Sequence, residues 1–232
     1  MPDVTVVVPS YNHARFVERT LRSIFAQTLA PKNLIVIDDG SKDESVAVIE
    51  QTLRDCPFAS ELIVRENRGL CATLNEALSK TDSEYFAYIS SDDLWLPRFL
   101  ESRSRMLNER PKAVLAYGYS FLIDDDDVVT DSTRNWAEYA DGDALEMLLF
   151  PIHPTSASVL YRTESISQVR WNEDSILEDY ELYLRLAVRG EFALDKSDPL
   201  SAWRIHDHNT SADFERMMNE WLAAQDRTRA EL

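Results

Sequence analysis

Three short polar segments each follow an apolar run: Ser10-Tyr11-Asn12, Asp38-Asp39-Gly40-Ser41 and Ser90-Ser91-Asp92-Asp93. Carboxylates accept hydrogen bonds from sugars and bases and hold divalent cations, and a tyrosine ring stacks on a flat heterocycle. If the runs are neighbouring parallel strands, the three segments meet in the crevice beyond the carboxyl ends of an open α/β sheet. Two acidic pairs in one crevice repel each other, so the convergence calls for a ligand or a cation. A nucleotide with a divalent metal fits. Asp39 would accept from base or ribose, Tyr11 would stack on the base, and Asp92 or Asp93 would hold a metal bridging two phosphates. Each segment alone has a plainer reading: Asp-Gly-Ser makes an ordinary turn and helix cap, and Asp-Asp opens a helix favourably. Their order and strand-end placement carry the functional reading.

Glu178-Asp179 is the sharpest single site. Leu182, Tyr183 and Leu186 lie at i+3, i+4 and i+7 from Asp179, so Asp179 is expected on the inward apolar stripe of a helix and Glu178 is expected to point elsewhere. Desolvation raises the pKa of such a carboxyl and the helix N-terminus lowers it, a balance that leaves a usable general base. In Arg204-Ile205-His206-Asp207-His208-Asn209-Thr210-Ser211, an imidazole could complete a metal site or bind a diphosphate, and Arg204 could neutralise phosphate. His13 and His153 show no metal-ligand spacing. Asp124 to Asp127 lacks the alternating ligands, glycine and final glutamate of an EF-hand and reads as a solvated hairpin turn.

The elements that must position these groups alternate. Val4 to Val8, stopped by Pro9, reads as a doubly buried strand, followed by a helix over 13–27 that Asn12 would cap. Leu34 to Ile37 is a second strand, and Ser41 with Glu44 suggests a capping box for the next helix. A strand over 61–65, a helix over 70–79, a strand over 85–89 and a helix from Pro97 to about Arg110 complete the first half. The second half reads as strands over 113–123 and 128–129, a helix over 141–150, an extended stretch over 156–161 and a helix over 177–188. Phe214, Met217, Met218, Trp221 and Leu222 form an amphipathic stripe that would pack on the domain, with dimerisation or shallow membrane contact as other uses. With no linker, the chain reads as one domain: a nucleotide-binding half (1–110), an acceptor and catalytic half (111–211) and a C-terminal helix (212–232).

Composition removes several classes. Hydrophobic residues make 44% and charged residues 28% of the 232, which suits a globular chain with a full core. Forty-one acidic residues against 24 basic ones give a net charge of −17, a field that repels nucleic acid and anionic lipid. The two cysteines, Cys56 and Cys71, suggest neither a disulfide framework nor a zinc knuckle, and no leader or membrane span is evident, so a cytoplasmic protein is expected. Neither GxGxxG, GxxxxGK[ST] nor HExxH occurs.

Together these segments resemble family 2 glycosyltransferases of the GT-A fold. The resemblance is carried by Val4 to Asn12, Ile37 to Ser41, Ser91 to Pro97, Leu177 to Leu182 and Arg204-Ile205-His206 with Asn209 and Ser211. It implies an α/β, Rossmann-like, mainly parallel sheet flanked by helices, with an acceptor-side half appended. It also implies an inverting, hexosyltransferase-type transfer from a nucleotide-sugar, UDP expected and dTDP or GDP open, to a saccharide or lipid-linked acceptor. On that resemblance Pro9, Tyr11, Asp38, Asp39, Asn67, Arg68 and Asp92 border the nucleotide, and Asp92, Asp93 and His206 hold Mn2+ or Mg2+. Asp179 is the base. Ser90 stands where the motif often has Asp, and Leu74 where a basic residue often precedes the position of Asn75. The rival readings are a sugar-phosphate nucleotidyltransferase, which needs a glycine-rich basic loop that Ser10 to His13 does not supply, and a non-catalytic nucleotide-sugar-binding module.

Overall fold

The computed structural model describes residues 3–206, 209 and 213–229. Its centre is a seven-stranded sheet of β1 (Val4–Ser10), β2 (Asn33–Asp38), β3 (Ser60–Val64), β4 (Tyr85–Tyr88), β6 (Ala113–Gly118), β9 (Leu160–Arg162) and β10 (Glu191–Asp195), in the order β10-β6-β9-β4-β1-β2-β3. Only β9 runs antiparallel to its neighbours. The sheet is thus mainly parallel, as expected, and strands from both halves of the chain build it.

Alternate residues of the central strands face opposite layers, which is why the runs are apolar throughout. Val6 and Val8 share a cluster with Leu21 and Ile24 of α1 (Val17–Phe25) and Phe99 and Leu107 of α4 (Phe99–Glu109). Val7 faces the other way, with Leu74 and Leu78 of α3 (Leu70–Ser79) and Tyr183 and Leu186 of α7 (Glu178–Ala187). Burying one such Leu or Val side chain contributes about 1.5–3 kcal/mol, so the two clusters clamp the sheet ends in place.

A second sheet of β5 (Leu94–Trp95), β7 (Ser120–Ile123), β8 (Val129–Ser132) and β11 (Ser201–Arg204), in the order β5-β11-β7-β8, sits beyond this one. Its β5 overturns the plain helix-start reading of Asp92-Asp93: a short strand follows them, and α4 begins only at Phe99. The expected single strand over 113–123 is split between the two sheets at Tyr119.

Several local signals resolve differently. Asn12 does not cap α1; it lies at φ 57° and its Oδ1 accepts the Lys42 N–H at 2.7 Å. Ser41 and Glu44 make no capping box: the Ser41 hydroxyl donates to Asp38, and Asp43 accepts the Ser45 N–H at 3.0 Å where α2 (Ser45–Leu53) starts. Helix over 141–150 is confined to α5 (Leu145–Leu148), and 156–161 divides into a 3-10 turn and β9. The sequence signals also miss α6 (Thr163–Val169), β10 and β11.

The terminal helix α8 (Phe214–Thr228) lies on α7, with Ala224 buried, Trp221 partly covered and Arg227 paired with the buried Glu181 at 2.7 Å. Leu222 stays 54% exposed. No helix among the described residues is long and apolar enough to cross a membrane.

Gly40, at φ +83°, closes the turn after β2, and a Cβ there would sit 2.9 Å from the Asn67 backbone nitrogen. Gly40→Ala is expected to lower unfolding free energy by about 1–3 kcal/mol through left-handed strain and this contact. Urea titration of parent and variant measures it.

Candidate active site

β1 lies between β2 and β4 with parallel register, so the exits of all three strands are adjacent. The Asp39 N–H extends the ladder to the Ser10 carbonyl at 2.8 Å, and the Ile89 N–H reaches the Val7 carbonyl at 3.0 Å. Asp38 is fully buried and turned inward. It accepts from the Ser10 hydroxyl (3.1 Å), the Ser41 hydroxyl (2.7 Å) and the Ser41 N–H (2.8 Å), and so shapes the turn. Asp39 is anchored from the other side by the N–H groups of Arg68 (2.9 Å) and Gly69 (2.7 Å) and by an ion pair with Arg65. Tyr11 is 47% exposed at the rim. Pro9 is half-buried, and Asn67 and Arg68 are exposed beside the Gly40 turn.

From this turn the contacts continue toward the acidic pair. The Asn12 N–H donates to Ser41 Oγ at 2.9 Å, and the next residue, His13, has Nδ1 at 2.8 Å from Ser91 Oγ and Nε2 at 3.7 Å from Asp92 Oδ2. His206 Nε2 meets the same Asp92 oxygen at 3.0 Å, and its ring stacks on Phe16 at 5.4 Å. His13, Asp92 and His206 can therefore each turn one ligand atom to a common point, with these atoms within 4.8 Å of one another. Burial lowers the pKa of His13, which favours the neutral imidazole that a metal requires. The hydrogen bond to Asp92 raises that of His206, so a proton is held where a cation would also be favoured.

Asp93 is oriented differently. Its Oδ1 accepts the Arg204 N–H at 2.8 Å, and burial, reinforced by the charge of Asp92, pushes its pKa well above the ordinary range. It joins the loop to β11 and lies outside the three-group cluster. Arg204 is likewise committed inside the protein. It is fully buried over the Phe16 ring, with Nε on the Asp92 carbonyl at 2.7 Å and its terminal nitrogens on the Asp124 carbonyl and the Asp127 carboxylate. The expectation that Arg204 meets phosphate is therefore corrected: a guanidinium with no solvent access and three internal acceptors is a structural cation. The 124–127 run is also more than a solvated turn, because Asp125, Asp126 and Asp127 pair with Arg15 and Arg19 at the approach to and start of α1.

On α7, Asp179 lies 3.9 Å from His153 Nδ1 and accepts its neighbour's N–H, that of Tyr180, at 2.7 Å. Glu178 does not point away. The hydroxyl of Tyr88, the last residue of β4, donates to Glu178 Oε1 at 3.3 Å, which brings the start of α7 to the same sheet end.

The model of glycosyl transferase family 2 matches residues 5–158, about two thirds of the chain. The chain belongs to glycosyl transferase family 2. A Bacillus subtilis (strain 168) protein named as a teichuronic acid biosynthesis glycosyltransferase is 25% identical over 97% of this chain and 85% of its own length. An uncharacterised glycosyltransferase of Haemophilus influenzae is also 25% identical, over 94% and 70%. The fold matches the Pyrobaculum calidifontis mannosyltransferase PcManGT, solved with GDP-Man and Mn2+, at a TM-score of 0.73 and 20% identity, covering 99% of this chain and 66% of that one. It also matches S. aureus TarS 1-349 with UDP, at 0.71 and 16% over 96% and 65%. The chain spans about two thirds of those solved chains.

The family 2 glycosyltransferase thus gathers Pro9, Tyr11, Asp38, Asp39, Asn67, Arg68, Asp92, His206 and, through Tyr88, Glu178-Asp179 at one end of one sheet. Ser211, with Asp207, His208 and Thr210, lies outside the described residues. Asn75 is turned away from a ligand role, exchanging hydrogen bonds of 2.9 and 3.0 Å with the Trp171 backbone. The sequence reading set His13 aside for want of metal-ligand spacing, turned Glu178 away from the site and did not single out Arg65. His13 had a signal in plain sight, since it directly follows the strand-exit segment Ser10 to Asn12.

Replacing Arg204 with Met removes the guanidinium donor to the Asp92 and Asp124 carbonyls and leaves Arg19 as the one cation paired with Asp127 among the described residues. The expected loss of unfolding free energy is about 3–5 kcal/mol. Urea denaturation measures it, and a change within error would contradict the structural role.

Proposed function

We propose that this glycosyltransferase carries out an inverting transfer of a sugar from a nucleotide-diphosphate donor, a UDP-sugar in the first instance, to a hydroxyl of a saccharide or lipid-linked saccharide during polysaccharide assembly. The observation that carries the reading is the His13, Asp92 and His206 cluster beside the Asp39 turn, with Asp179 brought to the same sheet end. UDP in TarS, GDP-Man with Mn2+ in PcManGT and the teichuronic acid relative support it. The protein would act as one unit in the cytoplasm, at the membrane face when its acceptor is lipid-linked.

Two imidazoles and one carboxylate fit a divalent cation, and among the two metals expected this nitrogen-rich set favours Mn2+ over Mg2+, which prefers oxygen ligands. Bound there, the cation would supply positive charge against the diphosphate as it departs. Tyr11 stacks on the base, while Pro9, Asn67, Arg68 and the Asp39 turn border the nucleoside. Asp38 contributes from behind by fixing that turn. Asp179 takes the proton from the acceptor hydroxyl as its oxygen attacks the anomeric carbon opposite the leaving group, and one such displacement inverts the configuration. His206 orients Asp92, and Asp93 holds the same loop to β11.

Asp179→Asn is expected to lower kcat by about 100-fold or more, the usual range for a lost general base, with UDP affinity unchanged. Turnover at the parental rate would remove the base from Asp179. Calorimetry should give UDP binding that Mn2+ strengthens at least about tenfold in the parent and leaves unaltered in Asp92→Ala. Binding indifferent to Mn2+ in the parent would count against the metal reading.

A further inference from the structure

Two adjacent carboxyl groups open α7, and among the described residues no lysine, arginine or histidine pairs with the first of them, Glu178. Of the cations at this helix, Arg227 is taken by Glu181 and Glu220, and Arg185 sits in its last turn, donating to the Arg170 carbonyl at 3.0 Å. His153 lies beside Asp179. Glu178 instead faces groups that are neutral or negative. These are Asp179 on its own helix, Cys71 on α3, Tyr88 on β4 and Tyr161 on β9. Its side-chain hydrogen-bond partner among the described residues, the Tyr88 hydroxyl, belongs to a ring stacked on Tyr161 and packed edge-on against Trp171. Two neighbouring anions on an apolar aromatic floor with one helix start between them are unstable, so one of the two keeps a proton.

We propose that Glu178 carries that proton and acts as a positioning residue, leaving Asp179 as the single anion at the mouth of α7 and holding the helix start to β4 through Tyr88. The proposal rests on the reading of Asp179 as proton acceptor. Burial, with the Asp179 charge added, pushes Glu178 up to about 8, in keeping with this geometry. Above that pH a second negative charge arrives beside the base, so turnover falls on the alkaline side. The folded protein binds this proton more tightly than the unfolded chain does. The stability contributed is complete below the ordinary glutamate range and is lost as the pH climbs through about 8.

Glu178→Gln keeps the shape and the neutrality at every pH. Thermal unfolding of the parent and this variant is expected to give a Tm difference that is constant below about pH 4 and grows in favour of the variant up to about pH 8. UDP release from UDP-GlcNAc with Mn2+ should lose its alkaline limb in Glu178→Gln. It should fall about tenfold at all pH values in Glu178→Ala, and Gln should restore what Ala loses. Parallel Tm curves, or an alkaline limb that persists in the Gln variant, overturn the proposal. Asp179→Asn, run alongside, separates the two readings: its unaltered turnover would refute the base assignment, while the Tm comparison still decides where the proton is.

Discussion

Carboxylates crowded at one end of a sheet repel one another, and a chain of net charge −17 has no diffuse positive field to relieve them. Each acidic group at the exits of β1, β2 and β4 is answered locally. Asp38 is held by two hydroxyls and an N–H and Asp39 by Arg65 and two N–H groups, while in the neighbouring β7–β8 turn Asp127 is held by Arg204 and Arg19. Burial favours a proton on Asp93 and on Glu178. Asp92 differs because what faces it is two imidazoles, groups that can exchange a proton for a cation. The local electrostatics thus make the His13, Asp92 and His206 corner suited to a divalent ion and the neighbouring turns suited to shaping a pocket.

The scaffold serves this arrangement through buried cations as well as apolar packing. Arg204 ties the Asp92 carbonyl, the 124–127 hairpin and β11 into one block over Phe16, and the same Phe16 ring supports His206. The second sheet therefore does more than extend the first. It carries the strand that delivers His206 back to a loop more than a hundred residues earlier in the chain.

Much of this was legible in the residues. The apolar runs of β1, β2 and β4 and the stripe of α3 marked the parallel core, because doubly buried strands and one-sided helices leave strong periodic signals. Asp39, Asp92, Asp179 and His206 stood out as a set, because each alone is an ordinary turn or helix-start residue and only their order at successive element ends points to a site. Less legible were groups whose role depends on long-range partners. Arg204 looked like a phosphate ligand because the sequence does not reveal that Asp127 and two carbonyls surround it. Glu178 looked outward because helical periodicity cannot register Tyr88 arriving from another strand. Asn12 and Ser41 looked like caps, but across the β1 and β2 exits they are bound to each other's segments instead of to their own helices.

The account turns on an acidic residue flanked by two histidines from distant parts of the chain serving as one cation site. Pulsed EPR of the Mn2+-loaded protein tests this directly, because each coordinated imidazole nitrogen modulates the electron spin echo. Couplings from two histidine nitrogens, reduced to one in both His13→Ala and His206→Ala, are the predicted result. A bound Mn2+ with no nitrogen coupling, or with a coupling unaffected by either substitution, would contradict it.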